Sequence, residues 1–100
     1  MKIVIFCAIG SSAHMLAQRM KEEAQRQGKD YEIIFASLQS AERDVPDSDA
    51  VLIAPQVQYA VRMLRKKYKD KPIIKLGNLI YGTMDGKAAL RAAEDAVRDW

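Results

Sequence analysis

The sequence predicts an α/β fold, a single domain over residues 1–100 in which a parallel sheet is covered by helices on both faces. Two patterns and one bound carry that expectation. Short apolar runs at 3–7, 31–36, 50–54 and 72–76 alternate with stretches whose apolar residues recur at helical spacing, the signature of strand, crossover helix and next strand. The first run is continuously apolar, as a strand buried on both faces must be. At 100 residues, with 49% hydrophobic and 29% charged, the chain is the size of one ordinary globular unit and lacks the composition of a disordered one.

Ile-Val-Ile-Phe-Cys at 3–7 reads as the first strand, with Cys7 as its last residue. Gly10 breaks it, Ser11 or Ser12 offers a helix N-cap, and Ala13, Leu16, Ala17, Met20 and Ala24 share one helical face until Gly28. Tyr31–Ala36 is the second strand, followed by a polar stretch to Pro46 with room for a short helix. Ala50–Ala54 is the third strand, stopped by Pro55, after which Val57, Ala60, Val61, Leu64 and Tyr68 mark the face of another helix. Pro72–Leu76 is the fourth strand. Gly77, Gly82 and Gly86 punctuate a loop, and Asp85 caps a last helix whose Leu90, Ala93, Val97 and Trp100 share a face.

Lys and Arg exceed Asp and Glu by 16 − 13 = 3, too mild an excess to demand nucleic acid or an anionic membrane. One cysteine excludes an internal disulfide and any cysteine-based zinc site, so no metal is expected. The longest apolar run, Ile3 to Ile9, is far short of the roughly 20 residues that span a bilayer. Without a secretory cleavage pattern the chain reads as cytoplasmic.

The chemistry gathers at Cys7. In open parallel sheets ligands bind outside the carboxyl ends of the strands, and the loop from Ala8 through Ile9, Gly10, Ser11 and Ser12 feeds directly into a helix N-terminus. Free backbone N–H groups and the helix dipole stabilise an anion there. Gly10 admits close approach of a phosphate, and the Ser11 and Ser12 hydroxyls add donors. The bland alternative is a cysteine serving only as small buried filling.

Two phosphate loops are excluded by inspection. No lysine lies between Lys2 and Lys21, which rules out a P-loop, and a dinucleotide fingerprint needs more glycines than Gly10. A thiol phosphatase loop is closer, but it places an arginine six residues after the cysteine, where this chain has Ala13. A small thiol phosphatase or arsenate-reductase-like enzyme is thus the alternative reading, and the missing guanidinium argues against it. A receiver-like binding module needs acidic residues at positions held here by Cys7 and Pro55.

His14 is read as an exposed or capping residue rather than a partner for the thiolate. Arg62, Arg65, Lys66 and Lys69 form a basic helical stripe, a solvated face or a dock for an acidic protein, and no aromatic platform suggests nucleic acid. Met15, Met20 and Met63 read as core or core margin.

Taken together, these residues resemble the IIB component of the bacterial sugar phosphotransferase system, lactose/cellobiose type. The likeness covers essentially the whole chain. It rests on the Cys7-x-x-Gly10-x-Ser12 loop, on Leu52-Ile53-Ala54-Pro55-Gln56-Val57 with Tyr59, and on Tyr81-Gly82-Thr83-Met84-Asp85-Gly86. The resemblance implies a four-stranded parallel sheet of order 2-1-3-4, like that of the low-molecular-weight tyrosine phosphatases. It implies that Cys7 takes a phosphoryl group from a phosphohistidine on a IIA protein and passes it to a sugar imported by a membrane IIC component, with no cofactor. The backbone of Ala8, Ile9, Gly10, Ser11, Ser12, Ala13, His14 and Met15 would bind the phosphate, and Pro55, Gln56, Tyr59 and Tyr81 would form the rim. Family loops often carry Ser, Ala, Met and Thr where this chain has Ala8, Ile9, Ser11 and Ala13, and a small residue in place of His14.

Overall fold

The computed structural model describes residues 1–8 and 11–100. Strand β1 (Lys2–Phe6) lies inside the sheet, paired in parallel with β2 (Glu32–Ala36) on one side and β3 (Ala50–Ile53) on the other; β4 (Ile73–Lys75) pairs with β3. The resulting order, β2-β1-β3-β4, is the one the resemblance implies. Position explains composition: Ile3–Phe6 and all of β3 are buried, whereas the edge strands β2 and β4 each expose residues. A central strand meets helices on both faces and needs apolar side chains throughout.

Helix α1 (Ala13–Arg26) buries Ala13, Leu16, Ala17, Met20 and Ala24, the stripe expected from their spacing. It ends at Gly28, whose φ of 74° lies in the left-handed region that glycine enters without strain. After β2, the polar stretch forms a 3-10 turn (Leu38–Ser40) and the short helix α2 (Ala41–Asp44). A second 3-10 segment (Pro55–Ala60), kinked at Val57, leads into α3 (Val61–Lys67). The expected glycine-punctuated loop after β4 is instead a short helix, α4 (Asn78–Gly82); Gly82 sits in its last turn, where it costs little. Helix α5 (Gly86–Asp99) starts at Asp85, whose side chain accepts a hydrogen bond from the Ala88 amide at 3.0 Å.

Right-handed crossovers dictate the layers. The path from β1 to β2 runs opposite to the paths from β2 to β3 and β3 to β4, so α1 occupies one face and α2 and α3 the other. Helix α5 returns to pack on α1. That contact is close: a Cβ at Gly86 would fall 2.6 Å from the Arg19 carbonyl carbon. In α5, Ala89, Leu90 and Ala93 are buried, but Val97 and Trp100, expected on the same face, are exposed; the Trp100 indole donates to the Lys69 carbonyl at 3.3 Å. Met20 is core, whereas Met15 and Met63 are exposed, contrary to expectation; neither falls on the buried stripe of its helix. Among the described residues no helix is long and apolar enough to cross a membrane.

Candidate functional site

Chain direction across the sheet reverses between β1 and β3, and α1 and the Pro55–Ala60 segment leave their carboxyl ends on opposite faces. Such a switch point opens a crevice. Backbone bonds tie its floor together: the Ala54 amide donates to the Phe6 carbonyl and the Leu76 amide to the Ile53 carbonyl, each at 2.9 Å.

Cys7 lies in this crevice, one residue past the end of β1 rather than within it. Its amide donates to the Ala36 carbonyl at 3.0 Å, and its thiol, a weak donor, faces the same oxygen at 3.5 Å. Only 7% of the residue is exposed. The thiol is thus largely shielded from solvent.

That loop turns as the chain enters α1. The Ser11 amide donates to the Ala8 carbonyl at 3.2 Å, and Ser11 Oγ accepts from the Ala13 amide at 3.4 Å. Ser12 occupies the N-cap position but makes no side-chain cap. The N-terminus of a 14-residue helix thus lies a few residues beyond Cys7, at the carboxyl end of the sheet. Ala13 is fully buried. Ile9 and Gly10, both expected in the phosphate loop, lie outside the described residues.

His14 is exposed, its ring tilted against Phe35 with centroids 6.2 Å apart. With Met15 and Phe35 it borders a shallow groove of about 400 Å³ along α1. The acceptor that Cys7 Sγ meets is a backbone carbonyl, not this imidazole.

The expected rim divides into two environments. Pro55 is half-buried beside the floor, whereas Gln56 and Tyr59 are exposed. Tyr59 opens onto a cleft of about 360 Å³ that it shares with Arg62, Arg65 and Lys75. Tyr81 is buried, only 6% exposed, and its hydroxyl has no hydrogen-bond partner.

The basic stripe is shorter than its spacing suggested. Tyr68 leaves helical geometry at φ −119°, ψ 68°, so Lys69 falls beyond α3 and off its face. Arg65 is partly occupied, donating to the Ile73 carbonyl at 2.8 Å and lying over the Trp100 ring at 5.6 Å. Sequence reasoning missed Lys75 in this cleft and the Ala36 carbonyl beside Cys7. Both arrive from neighbouring strands, and only strand order brings them there.

Comparison with known proteins places this geometry. The profile described as "PTS system, Lactose/Cellobiose specific IIB subunit" matches residues 2–92. An oligo-beta-mannoside-specific EIIB component of Bacillus subtilis is 35% identical, over 92% of this chain and 91% of its own. A galactose-specific EIIB component of Lactococcus lactis is 32% identical, over 95% and 94%. The solution structure of a cellobiose-specific phosphotransferase IIB component from Borrelia burgdorferi superposes with a TM-score of 0.83 at 30% identity, covering 99% of this chain and 93% of that one. With its sheet order, its crevice and nearly its whole length shared in this way, the chain belongs to the lactose/cellobiose-specific IIB subunits of the sugar phosphotransferase system.

Proposed function

We propose that Cys7 is a phosphoryl carrier between a IIA phosphohistidine and a sugar entering through a membrane IIC component, to which this chain docks from the cytoplasmic side. The observation that carries the reading is the placement of the only cysteine, nearly buried, at the switch point and at the foot of α1. In the first step the sulfur attacks phosphorus, the P–N bond breaks, and the thiol proton ends on the departing imidazole. In the second, a sugar hydroxyl attacks phosphorus, the P–S bond breaks, and the hydroxyl proton returns to sulfur.

Charge spreads over the outer oxygens during each transfer. The amides of residues 8–15 supply the matching dipoles, with Ser11 and Ser12 as further donors and Pro55, Gln56, Tyr59 and Tyr81 as neighbours. Ala13 leaves the cradle without a guanidinium, which suits a carrier: the phosphocysteine must outlast its wait for the sugar, and a clamp that favours attack by water would waste it. No metal or organic cofactor enters either step.

A β-linked disaccharide such as cellobiose or chitobiose is the proposed sugar. Cellobiose is named for the Borrelia structure, and the B. subtilis relative is named for oligo-beta-mannosides. The test is reconstitution: vesicles carrying a cellobiose IIC, phosphoenolpyruvate, the general phosphotransferase proteins and a IIA protein. Sugar phosphate that forms only when this chain is added supports the carrier role; equal formation without it refutes the role.

A further inference from the structure

Tyr81 presents a chemical mismatch. Its side chain is almost wholly buried, yet its hydroxyl is the only buried side-chain polar atom among the described residues without a hydrogen-bond partner. Phenylalanine would fill the same space with no polar group to strand.

The fold brings the helix that carries it to the carboxyl end of the sheet. The Leu76 amide joins the end of β4 to Ile53 of β3. Helix α4 begins at Asn78, and its far end is held to α1, where Arg19 Nη1 donates to the carbonyls of Thr83 at 3.3 Å and Met84 at 3.2 Å. It is therefore a strap from the carboxyl end of β4 toward α1. Strands stand about 4.8 Å apart, so the ends of β4 and β1 are separated by about 10 Å, and a five-residue helix rises about 7 Å. Tyr81, near the end of that strap, is carried toward β1. Leu79, two positions earlier and about 200° around the helix, is 80% exposed. Tyr81 faces the opposite way, into the protein.

We infer that Tyr81 is a phosphoryl-binding residue, its hydroxyl donating a hydrogen bond to an outer oxygen of the phosphate on Cys7. The inference rests on the proposed carrier role and adds a buried side-chain donor to a cradle of backbone amides and the Ser11 and Ser12 hydroxyls. The unmodified protein then leaves the hydroxyl unpaired, and phosphorylation supplies its acceptor. The hydroxyl keeps its proton throughout; it stabilises negative charge and transfers nothing.

Tyr81→Phe tests this without disturbing the packing. The variant should fold with a melting temperature equal to or above wild type, because a stranded hydroxyl is removed. Its rate of phosphoryl acceptance from a IIA phosphohistidine should fall about ten- to a hundredfold, the usual range for losing a hydrogen bond to a charged group. In a phosphorus NMR titration the second ionisation of its phosphocysteine should move upward, because a donor to the dianion has been lost. A purely structural role would leave that titration unmoved. If Cys7 is labelled in both proteins and rate and titration coincide, the hydrogen bond is refuted while the carrier role stands. If wild-type Cys7 takes no label, both fall.

Discussion

The two ends of the sheet solve opposite problems. At the amino end, polar groups are consumed by one another: the Lys2 amide donates to Asp49 at 2.7 Å, its ammonium pairs with Asp47 and lies 3.8 Å from Glu32, and Lys71 reaches the Ser48 carbonyl at 2.6 Å. Tyr31 donates to Glu94 at 2.7 Å, and Lys29 pairs with the same carboxylate. At the carboxyl end, none of the ion pairs among the described residues involves the residues around Cys7. There the Tyr81 hydroxyl is unpaired, and Met15, Phe35, Tyr59 and Leu79 expose apolar surface. One end consumes its polar groups in pairs, and the other leaves a hydroxyl and apolar surface without partners.

Substitutions should separate the two ends cleanly. The largest effect belongs to Cys7→Ser, which keeps the size of the side chain but replaces the thiol with a poor nucleophile at neutral pH. Transfer should fall by more than about a thousandfold, with a thermal melt close to wild type. A variant that relays phosphate normally would break the comparison at its functional end.

Asp44 tests the other end. Its carboxylate is almost wholly buried, lies within the field of Lys2, and is held below the usual carboxylate range by hydrogen bonds from Arg43 and, at 2.6 Å, Ser40. Asp44→Ala should cost about 1–3 kcal/mol and leave phosphoryl acceptance on Cys7 intact. Because its folded pKa is lowered, the stabilisation is present above the unfolded value of about 3.9 and disappears as pH falls through the folded one. The gap between the denaturant melts of wild type and variant should therefore narrow as pH falls below about 4.

A subtler effect appears in alkali. The hydrogen bond to Glu94 and burial push Tyr31 up to about 12. For Glu94, burial pushes upward, but the bonds from Lys29 and Tyr31 outweigh it and hold the carboxyl below its usual range. A raised tyrosine contributes stability that is complete below its unfolded pKa of about 10 and fades as pH rises through the folded value. Tyr31→Phe should flatten the stability profile above about pH 10; an unchanged slope there would remove Tyr31 from the amino-end network.

The smallest effect concerns the cleft beside Tyr59. If this cleft docks an acidic protein surface, replacing Arg62 and Lys75 with glutamine should slow that association at low salt, with the difference fading at high salt. Rates that match wild type at every ionic strength would make this cleft a solvated face.

How far the sequence could be read follows the same division. The central strands and the buried stripe of α1 were legible because burial on both faces, or at helical spacing, writes itself directly into composition. The place of Cys7 at the carboxyl end of β1 was legible because an apolar run that stops before a glycine, two serines and a helical pattern marks a strand end. Helix α4 was not: its glycines signalled a loop, and tertiary contacts, with Arg19 gripping its far end, override that local preference. The burial of Tyr81 followed the same fate, since no spacing rule applies to a five-residue strap. The length of the basic stripe was misjudged because periodicity cannot see that Tyr68 ends the helix.

The central claim is that phosphate rides on the sulfur of Cys7, and peptide mapping of the phosphorylated chain tests it most directly. The protein is charged by phosphoenolpyruvate, the general phosphotransferase proteins and a IIA protein, then digested at neutral pH, where a thiophosphate bond survives. A single phosphoryl group on the peptide containing Cys7, absent from Cys7→Ser, is the predicted result. A phosphoryl group mapped to His14, or one retained by Cys7→Ser, would contradict the account.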